Sequence, residues 1–336
     1  MRFVRGYLLP RLLQYVWVIV LGITVVFFIP RLAGQDPILE KIAQIQSQGA
    51  YLGPAAVESL IETYKELYGL EGTLFNQYVS MWRRIFTFNF GPSFFQYPTS
   101  VSELLGTYLP WTIGLLLTST LLAWILGNVM GAIAGYFSQR HWSKSLDIMV
   151  MLIRPIPHYI FGVLILLLFA YVWKLFPAGG GGMLGGRRTV LNLRFILDVL
   201  YHSFLPALAL IILGGATWFQ QMKLLVQNVK NEDFVQYAKA GGVKEQLIVS
   251  RYILRNALLP QITQLTLLFG QIFTGALIIE MVFSYPGIGL LLYMAVTRGD
   301  YNLIMGITVL SILTITTAVL ILDLLYPLLD PRIRHR

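Results

Sequence analysis

Six stretches of this chain are apolar for long enough to cross a bilayer as helices: 9–30, 106–136, 145–173, 199–227, 258–283 and 302–328. About 20 such residues span roughly 30 Å of hydrocarbon, and a helix satisfies its own backbone polar groups where no water can. The pattern predicts an all-α membrane protein of about six transmembrane helices with both termini on the same side. Composition agrees, since 56% of the 336 residues are hydrophobic and only 12% charged, more oil than an aqueous core requires. The first run follows Arg2, Arg5 and Arg11, but it is too long for a signal-peptide core and lacks a small-residue cleavage site. It is read as a retained first span.

The net charge of +9 does not point to nucleic acid, because the basic residues flank the apolar runs instead of interleaving with aromatics. Arg2, Arg5 and Arg11, then Arg140 and Lys144, then the cluster from Lys223 to Arg255, then Arg332, Arg334 and Arg336 all fall on one side, the cytoplasmic side by the positive-inside rule. Arg187, Arg188 and Arg194 fall opposite. With no cysteine and only His141, His158, His202 and His335, neither a disulfide framework nor a metal-ligand spacing is present.

Residues 1–30 form the cytoplasmic N-terminus and first span, 31–104 a mildly acidic external subdomain, 105–329 the transmembrane core and 330–336 a cytoplasmic tail. Within 31–104, Pro54 suits a first helical turn and Val57, Leu60, Ile61, Tyr64, Leu67 and Tyr68 repeat at helical spacing up to Gly69. Their stripe is expected to pack on other parts of that subdomain. The glycine-rich stretch Ala178–Gly186 lacks the Gly-Lys-Ser/Thr ending of a phosphate-binding loop and reads as an external connection.

Between the fourth and fifth runs lies YAKAGGVKEQLIVSRYILRNALLP, Tyr237–Pro260. If 243–259 is helical, Val243, Leu247, Leu254 and Leu258 share one face, and Lys244, Arg251 and Arg255 a neighbouring one. Gly241 and Gly242 interrupt any helix arriving from Asn231, which predicts two short helices joined by a bend. The same features fit a basic helix lying at the headgroups and a protrusion that docks on a partner.

The longer string DFVQYAKAGGVKEQLIVSRYILRNALLP, Asp233–Pro260, resembles the so-called EAA loop of ABC-importer permeases of the dipeptide and oligopeptide family. FNFGPSFFQYPTSVSELLGTYLPWT, Phe88–Thr112, resembles that family's G-D-x-G-x-S…P-V…L-P-x-T signature. EMVFSYPGIGLLLYMAVTRGDY (Glu280–Tyr301), LDLLYPLLDPRIR (Leu322–Arg334) and IPRLAGQDP (Ile29–Pro37) resemble further family segments, in family order.

The resemblance implies the type I ABC importer permease fold in a prokaryotic inner membrane, with both termini cytoplasmic. It implies a heterodimer with a second homologous permease, two cytoplasmic ABC ATPase subunits, and an external solute-binding protein that delivers the substrate. No cofactor is implied on this chain, ATP and Mg being held by the ATPase subunits, and the permease itself is expected to be non-catalytic. The sequence carries no Walker A, H-E-x-x-H or G-x-S-x-G motif. By the same resemblance the coupling loop, at about 228–258, meets the ATPase through Tyr237, Ala238, Gly241, Gly242, Lys244, Arg251, Arg255 and Asn256, with Gly242 at the bend. Gly241 stands where the family often has lysine, and Gln220 and Lys223 where it often has arginine.

Inside the third run, Arg154 is followed by Pro155 and Pro157, which remove backbone donors. Such a charge and such freed carbonyls are tolerated at depth beside protein or a water-filled cavity. Arg154, Pro155, Pro157 and His158 are expected near a translocation path, against a purely structural kink. Trp218 is expected there too, while Trp111, Trp124 and Tyr159 fit either the path or interface anchoring. Glu280, at the exit of the fifth run beside Tyr285, is expected to be solvated at the interface, or else to form an external gate with Tyr285 or a contact with the binding protein.

The function expected is ATP-driven uptake of oligopeptides or dipeptides, with oligosaccharides on the same machinery as the alternative. A secondary transporter working through charges such as Arg154 and Asp323 predicts inverted repeats and mid-membrane carboxylates, neither of which is evident. A passive membrane scaffold leaves the proline-broken spans and the acidic subdomain without a role.

Overall fold

The structure is a computed structural model that describes residues 7–32, 42, 46, 53–69, 72–180, 193–271 and 277–329. The described residues form helices and turns, with one isolated antiparallel bridge between Pro92 and Ser100. The chain begins with α1 (Leu9–Leu32), α2 (Pro54–Tyr68), α3 (Leu74–Phe86) and α4 (Val101–Tyr136). Next come α5 (His141–Ile153), α6 (His158–Leu166, continued by a π-helical segment Leu167–Val172) and α7 (Leu193–Lys230). Then follow α8 (Asp233–Ala240), α9 (Glu245–Leu247, continued by a π-helical segment Ile248–Leu254) and α10 (Arg255–Gln271). The last three are α11 (Leu277–Val282), α12 (Ile288–Thr297) and α13 (Tyr301–Leu329). Two compact units divide the chain, Met1–Trp111 with Gly287–Arg336, and Thr112–Pro286.

Among the described residues four helices are long and apolar enough to cross a membrane: Leu9–Ile29, Val101–Tyr136, Leu193–Lys230 and Tyr301–Ile321. A fifth is added if the pair His141–Ile153 and His158–Val172 counts as one span, but that pair is bent by 99°. The third expected run is therefore not straight. Pro155 and Pro157 have no N–H to continue the ladder, so the last bonds of the first arm are Arg154 N–H to Val150 O and Ile156 N–H to Ile153 O. The fifth expected run crosses 272–276, which lie outside the described residues, as do Arg2, Arg5, Arg187, Arg188, residues 181–186 and the tail 330–336.

In the first unit, α1 and α13 run antiparallel: Arg11 pairs with Asp323 at 3.1 Å and the hydroxyls of Tyr15 and Thr317 meet at 3.1 Å. The unit's core joins Ile23 and Phe27 of α1, Met81 and Ile85 of α3, Leu291 of α12 and Leu303 of α13. Helix α2 starts at Pro54 and stops at Gly69, whose φ of +65° lets its N–H return to Glu66 O. Val57, Ile61 and Tyr64 of its stripe pack on Ile42, Phe94 and Tyr301.

The second unit rests on the crossing of α4 over α7. Gly127, Gly131 and Gly135, one per turn of α4, lie against α7 so closely that a Cβ on Gly131 would stand 2.4 Å from Phe219 O and one on Gly135 2.7 Å from Lys223 O. Without side chains there the two backbones touch, the packing that small residues permit between membrane helices.

Candidate functional site

A cavity of about 910 Å³ in the second unit is walled by α4, α6, α7, α10 and α11. Pro157 and His158 enter it from the start of α6, Trp218 and Gln221 from α7, Thr120 from α4 and Gln264 from α10. No Asp, Glu, Lys or Arg is among its described lining residues. Such a wall offers apolar contact with amide and hydroxyl groups, suited to neutral polar solutes more than to bare ions. Of the residues expected on a path, Pro157, His158 and Trp218 line this cavity, with Tyr159 beside them. Arg154 and Pro155 do not. Arg154 is exposed at the bend and donates to Gln220 Oε1, next in sequence to the cavity residue Gln221. Trp218 is 6% exposed and packs with Ala123 and Leu265, whereas Trp124 donates through Nε1 to Gln261 O.

Glu280 departs from expectation. It is 0% exposed, and its Oε1 accepts a 2.8 Å hydrogen bond from the hydroxyl of Thr112. The reading as a solvated interfacial acid is corrected: helix packing around α11 closes over the carboxylate, which only a specific donor makes tolerable. Tyr285 is buried as well, its N–H reaching Glu280 O at 2.8 Å and its hydroxyl accepting from Ser203 at 3.1 Å. Burial raises the Tyr285 phenol above its ordinary pKa, opposed by the Ser203 hydrogen bond and reinforced by Glu280.

At the far end of α7 the chain turns into the loop singled out by sequence. Helix α8 ends at Gly241, and Gly242 takes φ +74°, where a β-carbon is strained. The turn is closed by Gly242 N–H to Lys239 O and Val243 N–H to Ala238 O. Two short helices joined by a bend are thus present, with one change of register. Leu247 is 40% exposed, while Ile248, Ile253 and Ala257 are buried. Of the face expected to turn inward, Val243, Leu254 and Leu258 pack against Ile248, Ile253 and Ala257 while Leu247 stays outside, and the π-helical bonding of Ile248–Leu254, i to i+5, adds Ile248 and Ile253 to the buried side.

The other loop residues divide cleanly. Tyr237 is 75% exposed, and Lys244, Arg251, Arg255 and Asn256 are exposed, with Asn256 Nδ2 held on Tyr252 O. Ala238 and Val243 turn inward onto a cluster of Met222, Val226, Val235, Ile248, Ile253 and Ala257. Glu245 accepts from the Tyr136 hydroxyl, and Lys230 lies 4.7 Å over the Tyr136 ring.

Sequence reasoning missed a partly buried ion pair. Lys223 of α7 binds the Asp147 carboxylate of α5 and donates to Ser143 Oγ at 3.2 Å. The signal was present as an acid and a base inside two expected spans, a pairing that lipid favours. It also passed over the GNVMGAIAG run of α4, whose small-x-x-x-small spacing marks close helix contact.

Comparison with known proteins adds the lineage. Residues 127–335 match the family described as binding-protein-dependent transport system inner membrane component. The chain is 32% identical over 324 residues to the oligopeptide transport system permease protein AppB of Bacillus subtilis, covering 94% of this chain and 96% of that one. It is 32% identical over 330 residues to the oligopeptide permease protein OppB of Haemophilus influenzae, covering 98% and 99%. Against the dipeptide permease protein DppB of Bacillus subtilis the identity is 32% over 279 residues, covering 83% and 84%. Helices built to cross a membrane, a neutral cavity walled by several of them and a match along most of the chain lead to one conclusion: the chain belongs to the family of binding-protein-dependent transport system inner membrane components.

Proposed function

We propose that this chain is a permease subunit of an ATP-driven importer that takes up oligopeptides or dipeptides delivered by an external binding protein. Two cytoplasmic ATPase subunits hold ATP and Mg and dock on the 233–260 loop, and a second homologous permease completes the path. Peptides lead over oligosaccharides because the relatives are named for oligopeptide and dipeptide transport and because a lining of amides and hydroxyls without charge suits a peptide main chain.

One observation carries the reading: α7 belongs to both the loop and the cavity. Its Met222 and Val226 are packed into the loop's apolar cluster, and its Trp218 and Gln221, one turn away, line the cavity. A displacement of the loop by closing ATPase subunits is therefore passed to the cavity wall by a rigid helix, the kind of two-state coupling that links remote sites. The two charges named for a secondary transporter do not favour it: Asp323 is paired with Arg11, Arg154 is hydrogen-bonded to Gln220, and neither is among the described residues lining the cavity.

The test is purification of the tagged chain from its own membrane in mild detergent, followed by reconstitution into vesicles. The expected result is co-purification of ATPase subunits and a second permease, with peptide-stimulated ATP hydrolysis that Gly242→Val abolishes. A chain that purifies alone and moves solute on an ion gradient overturns the reading.

A further inference from the structure

We propose that α3 is a membrane-interface helix, with Phe75, Val79 and Phe86 sunk into the lipid beside α1. The helix has three faces. Met81 and Ile85 are buried in the first unit's core with Tyr78 against them, and Asn76 and Arg83 are exposed on the polar side. Between these faces runs a stripe spaced by four and seven residues: Phe75, Val79 and Phe86, which are 72%, 50% and 77% exposed. Trp82 borders it, its ring 5.8 Å from that of Phe86. In water such a row would leave a contiguous apolar surface uncovered.

The depth of α3 names the cover. The Tyr78 hydroxyl lies 2.8 Å from Thr24 Oγ1, its ring meets Phe27 edge-on at 5.2 Å, and Arg31 donates to Gln77 Oε1 at 3.0 Å. The apolar span of α1 ends at Ile29. Thr24 is five residues earlier, about 7.5 Å along the axis at 1.5 Å per residue, and interfacial helices sink their apolar face by about 5–10 Å. Tyr78 thus sits at the edge of the hydrocarbon while Gln77 and Arg31 sit at headgroup level.

Two further observations agree. Around the same level α1 exposes Val25, Phe28 and Ile29, the surface a spanning helix gives to lipid. The polar side also suits the headgroups. Arg84 is occupied by Leu67 O and Glu66 O, whereas the exposed Arg83 is placed to reach lipid phosphates, and Tyr78 and Trp82 are of the type enriched at that boundary.

The absence of cysteine from the chain allows a direct test on the full transporter in lipid vesicles. Single cysteines at Phe75, Val79 and Phe86, and at Asn76 and Arg83 as controls, are spin-labelled and exposed to oxygen, which partitions into lipid, and to a water-soluble nickel chelate. The expected result is oxygen collision in excess of chelate collision at Phe75→Cys, Val79→Cys and Phe86→Cys, and the reverse at Asn76→Cys and Arg83→Cys. All five sites are exposed, so the substitutions remove no core contact. Chelate access at the stripe equal to that at Asn76 places it in water and overturns the proposal. Shielding from both reagents assigns the cover to a protein and overturns it equally.

Discussion

The hydroxyl of Ser93 donates a 2.6 Å hydrogen bond to the carboxylate of Asp300, joining positions 207 residues apart. The same carboxylate accepts from Phe95 N–H at 3.0 Å and from Leu303 N–H at 3.0 Å, so it caps α13 while holding the 93–95 turn. Asp300 is 0% exposed, and its removal leaves buried donors unmet. Asp300→Ala is expected to cost about 3 kcal/mol, with Asp300→Asn costing less because one oxygen remains. The thermal midpoint of the purified chain in detergent measures this, and an unchanged midpoint for Asp300→Ala contradicts it.

The glycine contact of α4 with α7 predicts sharp position dependence. A Cβ on Gly131 meets backbone at 2.4 Å, while one on Gly106 or Gly114 meets nothing within 4 Å. Gly131→Ala is expected to destabilise by about 1–3 kcal/mol through overpacking, and Gly106→Ala and Gly114→Ala to be tolerated. Equal midpoints for all three variants would mean that α4 and α7 do not touch as described.

The Lys223–Asp147 pair predicts non-additivity. With Lys223 side chain 8% and Asp147 28% exposed, Lys223→Met alone strands a carboxylate and is expected to cost about 3 kcal/mol. Adding Asp147→Leu is expected to recover most of that loss. A double-mutant cycle on folded yield and thermal midpoint checks it, and a double variant as unstable as the sum of its singles argues against the pair.

Gly242 predicts a backbone effect free of sterics. Its φ is +74° and an added Cβ has nothing within 4 Å, so Gly242→Asn, which tolerates this conformation, is expected to keep most activity. Gly242→Ala is expected to cost about 1–2 kcal/mol at the turn and Gly242→Val more. Initial uptake rates in vesicles should rank Gly, Asn, Ala, Val; a flat series indicates that the bend is not needed.

Much of this was legible in the sequence where the physics is local. Apolar length marked the long helices, Pro54 and Gly69 marked both ends of α2, and Gly241–Gly242 marked the loop bend. What escaped depended on pairing across the chain or on non-α geometry. The burial of Glu280 follows from Thr112, which is 168 residues away, and no run of residues around 280 reports it. Along 243–259 the expected residues Val243, Leu254 and Leu258 do pack inward, but Leu247 is exposed and Ile248 and Ile253 are buried instead, because π-helical bonding breaks the spacing on which periodicity rests. The cavity was partly legible: proline breaks pointed to Pro157 and His158, which line it, while Arg154 lies at the bend and donates to Gln220, a partner 66 residues away that no local pattern reports.

If α7 carries loop motion to the cavity as proposed, the accessibility of His158, exposed on the cavity wall, changes with the nucleotide state. His158→Cys in the cysteine-free chain is assembled with its partners in vesicles and labelled with a water-soluble thiol reagent, with and without nucleotide trapped on the ATPase subunits. The expected result is a labelling rate that changes several-fold on trapping, and loss of that change when Ile253→Ala empties the cluster between loop and α7. A rate unmoved by nucleotide, or one that responds equally with Ile253→Ala, would contradict it.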